Sequence, residues 1–191
     1  MERGIRMKSN GYTLIETLIV IAILMVLTAL GVPSFTDFII KMRVDNEINH
    51  INRMLLVTRN IALNTNQTVT LCPLKGNICE NKWHLPLSIF TDSNNNKVYE
   101  PLLQEQLIQY KDAIKEGDKL QYGTTRKGLT FASDGYLFGW GQNATFIYCP
   151  KGHPNRSRAI RVAVSGRTYK SEYNAKKDRD EIRSGKAVKC K

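Results

Sequence analysis

The chain has 191 residues, enough for one modest domain and an appendage but too short for several domains. Its hydrophobic content of 42% is ordinary for a globular protein, so a core can form. The formal net charge of +11 is unevenly distributed along the chain. Residues 151–191 carry thirteen Lys and Arg against four Asp and Glu, whereas residues 12–150 carry twelve of each kind. This asymmetry favours either a polyanionic partner, such as nucleic acid or anionic lipid, or a solvated tail.

The first predicted element is an apolar segment behind a basic start. Residues 12–32 would span about 30 Å as a helix, enough to cross the core of a bilayer. Arg3, Arg6 and Lys8 predict a cytoplasmic N-terminus, with the rest of the chain beyond the inner membrane, where disulfides persist. A plain signal anchor, a secretory signal peptide cut after Gly31 and a precursor cut nearer its N-terminus would all show this pattern.

An acidic residue, Glu16, lies within this apolar segment. A carboxylate inside a membrane span costs about 3 kcal/mol and needs a purpose, which neither a signal anchor nor a signal peptide provides. From Gly11 the sequence is Gly-Tyr-Thr-Leu-Ile-Glu, which resembles the type IV prepilin signal. The resemblance implies that residues 1–11 are a leader, cut off between Gly11 and Tyr12 by a prepilin peptidase that also methylates the new N-terminus. Tyr12 departs from the usual phenylalanine, whereas Pro33 matches a proline common in pilin helices.

The same resemblance implies a mode of assembly. In a fibre, the new ammonium group of Tyr12 would neutralise the Glu16 carboxylate of a neighbouring subunit, because either charge is costly when it is left unpaired in a low dielectric. The implied partners are the major pilin, other minor pilins, the prepilin peptidase and N-methyltransferase, and the inner membrane before assembly. No cofactor is implied.

A second helical pattern covers residues 33–64. Apolar residues recur at steps of three and four with charged residues between them, which predicts an amphipathic stem helix with one face for a core. Pro33 removes a backbone donor and is expected to kink the long helix. Residues 64–66 are expected to end it. The residues predicted for the core face are Phe35, Phe38, Ile39, Met42, Ile48, Ile51, Leu55 and Ala62.

Strand patterns follow the stem in a predicted globular domain of residues 65–170. Segments rich in β-branched and aromatic residues alternate with turn residues, and helix followed by antiparallel strands predicts an α+β domain. Residues 102–121 are ambiguous and fit a strand and a loop. Strands are predicted at residues 68–72, 87–91, 129–132, 145–149 and 159–165, with turns at residues 75–77, 92–96, 133–135 and 139–141.

The strand region resembles the GspH/FimT family of minor pilins and pseudopilins. The stretches that carry the resemblance are Trp83 with residues 89–96, residues 129–131 with Gly135, residues 144–149 and residues 160–167. The resemblance implies the type IV pilin fold, in which a long N-terminal helix, half transmembrane and half amphipathic, packs on an antiparallel β-sheet domain.

The four cysteines allow three disulfide pairings. Cys72 and Cys79 enclose a short loop with proline and glycine, which favours a local bridge and leaves Cys149 to pair with Cys190. That second bridge would close a loop of about forty residues and stabilise the fold by roughly 3–4 kcal/mol. A zinc site built from cysteines and neighbouring histidines is an alternative, although the spacing matches no known zinc pattern.

One short motif is compatible with a calcium loop. Asp92, Asn94 and Asn96 match its start, but Lys97 stands where glycine is usual and Leu103 where glutamate is needed, so a hydrogen-bonded polar turn is favoured. The sequence shows no catalytic constellation, nucleophile elbow or phosphate-binding glycine loop. No enzyme activity, metal or cofactor is therefore predicted.

The predicted C-terminal tail, residues 171–191, is basic. In FimT-like minor pilins, a Gly-Arg-x-Arg motif just before such a segment is implicated in DNA binding during uptake. This chain has Gly166 and Arg167, but Tyr169 replaces the second arginine, so half the motif carries over. A flexible run of cations can also neutralise phosphates without regard to sequence, or it can solvate the surface or contact neighbouring subunits. The candidate DNA contacts are Arg167, Lys170, Lys176, Lys177 and Arg179.

The sequence as a whole predicts a minor pilin of a type IV pilus that acts in pilus initiation or tip assembly. It would be held in the bacterial inner membrane by a single span, with its C-terminal domain in the periplasm, and would contact DNA during natural transformation. Two alternatives stay open: a minor pseudopilin of a type II secretion system, and a dedicated DNA receptor of the pilus.

Overall fold

A computed structural model divides the chain into two units, one up to Ile39 and one from Ile40 onward. The predicted leader, residues 1–11, and the predicted turn at residues 139–141 each lie partly outside the described residues. The structure describes residues 11–123, 125–139 and 144–190, with the side chains of residues 30, 33, 34 and 144 left out.

One long helix, α1, spans Leu14–Thr65. It begins after Thr13, whose Oγ1 accepts the backbone N–H of Glu16 at 3.3 Å, as an N-cap residue does. It ends before Asn66, whose φ of 54° is the left-handed conformation that often follows a helix. The helix continues through Pro33, and the kink expected there stays a prediction.

The described side chains of the first unit are almost all exposed, including Tyr12 and the apolar residues of α1. Among the residues that the structure describes, no helical stretch combines the length and the hydropathy needed to cross a membrane.

The core face predicted for the stem, residues 33–64, is wrong over its first half. Phe35, Phe38 and Ile39 of the first unit and Met42 of the second are exposed rather than buried. Successive helical residues are turned by about 100°, so Met42 faces almost opposite to Ile40. The side chains of α1 that enter the core follow each other at steps of three and four, with Met54 and Leu55 as one adjacent pair. They are Ile40, Val44, Ile48, Ile51, Met54, Leu55, Thr58 and Ala62.

Antiparallel strands follow α1, and all five predicted strands are present, the one at residues 87–91 with the predicted ends and the other four with shifted ends. The ambiguous segment holds the end of a 3₁₀ turn (Pro101–Leu103) and two strands. In chain order the strands are β1 (Val69–Lys75), β2 (Ile78–Cys79), β3 (Leu87–Thr91), β4 (Leu107–Lys111), β5 (Lys119–Tyr122), β6 (Leu129–Phe131), β7 (Ala144–Cys149), β8 (Arg158–Val162), β9 (Thr168–Lys170), β10 (Glu172–Asn174) and β11 (Arg179–Glu181).

These strands form two sheets and a hairpin. The first sheet has the order β2-β1-β3-β4, and β6 also pairs with β1; the second has the order β5-β7-β8-β9; β10 and β11 form the hairpin. An aromatic cluster lies in the core, where Tyr122 stacks on Phe146 at 4.1 Å and Trp83 meets both rings edge-on at 5.0 and 5.1 Å. Burial raises the pKa of Tyr122 to about 12. The fold is therefore the predicted α+β type IV pilin fold.

Ion pairs join the stem to the sheets on its polar side. Arg43 Nε lies 3.2 Å from Asp118 Oδ2, and Lys111 Nζ lies 2.8 Å from Glu47 Oε2. The Asp118 side chain is 1% exposed and that of Lys111 is 5% exposed, so both pairs have a buried member. Removal of one partner would leave an unpaired buried charge, which is strongly destabilising.

Candidate functional site

The N-terminal segment places Glu16 in the first turn of α1. Thr13 and Glu16 stand at the N-cap and N3 positions, the spacing of a capping box, and Thr13 Oγ1 accepts the Glu16 N–H. A carboxylate in the first turn also interacts favourably with the helix dipole. Tyr12, just before the helix, is 83% exposed. Glu16 can therefore serve the helix start as well as a partner chain, and Thr13 is a residue that the sequence analysis missed.

Two disulfides join the four cysteines in the pairs that the sequence favoured. Cys72 in β1 bonds to Cys79 in β2 across the turn between these strands. Cys149, at the end of β7, bonds to Cys190, 41 residues further along the chain. The second bridge holds the C-terminal segment to the end of β7, an inner strand of the second sheet.

Gly166, the glycine of the half motif, has a structural role. Its φ is 74°, and a Cβ at this position would lie 2.3 Å from the carbonyl oxygen of Gly135 and 2.8 Å from Arg59 Nε. Arg59, on the stem, donates from Nε to that same Gly135 oxygen at 3.0 Å. The glycine is required where the β8–β9 turn, the turn after β6 and the stem meet.

The Gly166→Ala variant is expected to lower the free energy of unfolding by about 3 kcal/mol, the sum of left-handed strain and overpacking. Gly185→Ala is the matched control, because Gly185 has the same φ of 74° but nothing within 4 Å of its added Cβ. We expect that variant to lose about 1 kcal/mol. Urea denaturation of both measures the difference, and equal losses would show that the close approach at Gly166 carries no energy.

The basic C-terminal segment is folded, so the prediction of a flexible run of cations is wrong. Strands β10 and β11 pair through Glu172–Glu181, Tyr173–Asp180 and Asn174–Arg179. The Asp180 side chain is 4% exposed, and burial raises its pKa while the neighbouring Arg158 opposes the rise. The segment is ordered because this hairpin and the Cys149–Cys190 bridge both hold it.

The hairpin also pairs most of its acids with nearby cations. Glu181 Oε1 lies 3.0 Å from Lys177 Nζ and 3.0 Å from Arg179 Nη2. Hydrogen bonds from Lys177, Asn174 and Arg179, in that order, lower the pKa of Glu181 to about 2. Lys177 and Arg179, both predicted DNA contacts, thus share the single carboxylate of Glu181, which offsets one of their two charges.

A second set of cations forms no ion pair among the described residues and meets on the second sheet. Arg161 on β8 stands directly opposite Tyr169 on β9, and Arg183 Cζ lies 5.4 Å from the centre of the Tyr169 ring. With Ala163, Lys170 and Ile182, these residues line a cavity of about 230 Å³. We call Arg161, Tyr169 and Arg183 the cationic cluster.

The predicted DNA contacts lie on different elements, and of the five only Lys170 lines the cavity of the cationic cluster. Lys170 donates from Nζ to Asn49 on the stem at 2.6 Å, and Arg167 and Lys176 are exposed in separate turns. The cationic cluster was missed as a site because Arg161 and Arg183 lie in strands and turns far apart in sequence. The sequence signal that could have indicated it is the alternation of apolar and charged residues along β8, which turns the Arg161 side chain to the face opposite the buried Ile160 and Val162.

A long N-terminal helix that packs on antiparallel sheets, preceded by Gly11 and carrying Glu16, defines a subunit of the type IV pilin class. Residues 6–32 match the prokaryotic N-terminal methylation motif, and residues 47–166 match the family described as type II transport protein GspH. Because the second match covers more than half of the chain, this protein belongs to the GspH family. It is a minor pilin or pseudopilin, and its methylation motif implies processing by a prepilin peptidase and assembly with other pilins.

Two solved structures share this fold. Two crystal structures of the type IV minor pilin FimU from Pseudomonas aeruginosa PAO1 align with a TM-score of 0.53 and 19% identity. They cover 66% and 68% of this chain and 86% and 93% of the FimU chains. The minor pseudopilin EpsH from the type 2 secretion system of Vibrio cholerae aligns with a TM-score of 0.46 and 15% identity over 67% of this chain and 95% of its own. No curated protein sequence matches this chain significantly.

Proposed function

We propose that this protein is a minor pilin of a type IV pilus that acts in pilus initiation or tip assembly. The observation that carries the proposal is Glu16, set four residues behind a new N-terminus at Tyr12 within the matched methylation motif. Before assembly the helix anchors the protein in the inner membrane, with the second unit in the periplasm, where its two disulfides form. The partners are the major pilin and the other minor pilins.

A type II secretion pseudopilin is the alternative, favoured by the description of the matched family. A deletion strain separates the two assignments. Loss of surface pili and twitching with normal protein secretion supports the pilus assignment. Loss of secretion with normal pili supports the pseudopilin instead.

The cationic cluster supports a second part of the proposal, sequence-independent binding of DNA during uptake. Guanidinium groups bind phosphates, and an aromatic ring beside them can stack on an unpaired base. Arg161 and Arg183 flank Tyr169 in this way, and neither forms an ion pair among the described residues. Arg167 and Lys176, exposed on the same C-terminal segment, would add further phosphate contacts.

The paired variant Arg161→Gln with Arg183→Gln is expected to weaken binding of a single-stranded oligonucleotide about tenfold and to flatten the log–log salt slope by about 1.4. The control is Lys177→Gln with Arg179→Gln, which removes the same charge from residues already paired with Glu181. Fluorescence anisotropy on the processed full chain in detergent measures both. A control that loses as much affinity as the cluster variant would contradict a site at the cluster.

A further inference from the structure

The loop between β3 and β4 carries acidic side chains without a cationic partner. Asp92, Glu100 and Glu105 all lie in this loop. In the described parts of the chain, no Lys or Arg pairs with any of the three, and this includes Lys97 of the loop itself. Each of these carboxylates is therefore left to hydrogen-bond donors or to a bound cation.

Asp92 is the least satisfied of the three. It is fully buried, and its Oδ2 accepts hydrogen bonds from Thr70 Oγ1 at 2.7 Å and from the backbone N–H of Lys97 at 3.2 Å, so the carboxylate lies between β1 and the loop. Its other oxygen, Oδ1, is buried as well but accepts no hydrogen bond. A buried carboxylate oxygen without a partner is costly, and a bound cation removes that cost.

Other oxygen-bearing side chains of the loop converge. Asn94 and Asn96 both donate from Nδ2 to Glu100 Oε2, at 2.9 and 2.7 Å. The Oδ1 atom of Asn95 is a second buried oxygen without a partner. The Oδ1 atoms of Asn94 and Asn96 accept the backbone N–H groups of Asn96 and Val98 at 3.1 and 2.7 Å, and each keeps a second lone pair for a cation. Carboxylate and amide oxygens are the ligands that Ca²⁺ takes in proteins.

The structure also weakens the two objections that the sequence raised against a calcium loop. Lys97 replaces the usual glycine, yet its φ is 59°, the left-handed conformation for which glycine is favoured there. Leu103 replaces the last acidic ligand, but Glu105 lies just beyond it. The Glu105 oxygens accept the N–H groups of Ser93 at 3.1 Å and Glu100 at 2.7 Å, which holds the two ends of the loop together.

We propose that residues 92–105 bind one Ca²⁺ ion, with Asp92 and Glu100 as carboxylate ligands, Asn94 and Asn96 as amide ligands, and Glu105 as the residue that braces the loop. The described residues contain no group of three His, Cys, Asp or Glu side chains placed to hold a metal ion. A site of two carboxylates completed by amide oxygens suits Ca²⁺, whereas Zn²⁺ prefers histidine and thiolate ligands. The ion would tie the end of β3 to the start of β4.

Thermal unfolding of the full chain in detergent tests the proposal. Calcium at about 100 times its dissociation constant is expected to raise Tm by about 8 °C over the same protein in EDTA. Isothermal titration with CaCl₂ should show one site per chain. Magnesium at the same concentration should shift Tm far less, because Mg²⁺ gives up its water reluctantly. An equal shift with magnesium, or no heat with calcium, would overturn the proposal.

Variants distinguish the loop from general screening of negative charge. Asp92→Asn keeps the shape of the side chain and removes its charge, so this variant should be stable in EDTA and should lose the calcium shift. Glu100→Gln should lower calcium affinity at least tenfold. Glu116→Gln is the matched control, since Glu116 is exposed and outside the loop. If the Asp92 and Glu100 variants respond to calcium as the Glu116 variant does, the site does not exist.

Discussion

Replacement of Glu16 by alanine is expected to abolish incorporation into the fibre while leaving the amount of membrane-inserted precursor unchanged. The physical reason is that the charged amine of a neighbouring Tyr12 would then be buried without a counter-charge, at a cost of several kcal/mol. The measurement is the amount of this protein in sheared surface fibres relative to the amount in the membrane fraction.

The alanine variant also changes the first turn of the helix, where Glu16 stands at the N3 position with the spacing of a capping box from Thr13. Glu16→Gln separates the two roles, since glutamine keeps the capping geometry and removes the charge. If Glu16 acts by neutralising the Tyr12 ammonium group of a neighbouring subunit, the Gln variant should fail to enter the fibre, as the Ala variant does. Normal incorporation of the Gln variant would mean that the side chain serves only the local helix end and that this charge pairing is wrong. Thr13→Ser, which keeps the cap, should assemble normally.

Removal of the Cys149–Cys190 bridge by two serine substitutions is expected to lower the free energy of unfolding by about 4 kcal/mol and Tm by about 12 °C. The bridge spans a separation of 41 residues, so it restricts a large part of the unfolded chain. It also holds the segment that carries Val188, which is 9% exposed. Urea denaturation and calorimetry of the purified variant measure both quantities.

The matched comparison is the Cys72–Cys79 pair, which spans a separation of only 7 residues. Its removal should lower the free energy of unfolding by about 2.5 kcal/mol in the same chain-entropy description. If the short bridge proved the more stabilising of the two, restriction of the unfolded chain would not be the reason for either effect.

Local patterns predicted the parts of this fold that depend on local physics. The strand at Leu87–Thr91 matches its prediction at both ends, because a buried central strand reads as a continuous apolar run bounded by turn residues. Asn66 ends α1 as expected. The two disulfides followed from the short spacing of Cys72 and Cys79, which left one pairing for the other two cysteines.

Features that depend on contacts between distant segments could not be predicted. The stem face was misjudged because the apolar residues from Phe35 to Met42 keep a helical period, and periodicity alone does not show which side meets a sheet. The cationic cluster requires the β10–β11 hairpin to bring Arg183 over Tyr169. The unpartnered oxygen of Asp92 appears only when the loop is folded around it.

The stem bears three charged residues at alternate positions, Arg43, Asp45 and Glu47. They pair in turn with Asp118 just before β5, Arg158 on β8 and Lys111 on β4. Alternate helical positions point to nearly opposite sides, so Asp45 pairs on the side of α1 away from Arg43 and Glu47. The ionic attachments therefore hold α1 on two sides, and tension applied along α1 from its Ile40 end would pass into both sheets.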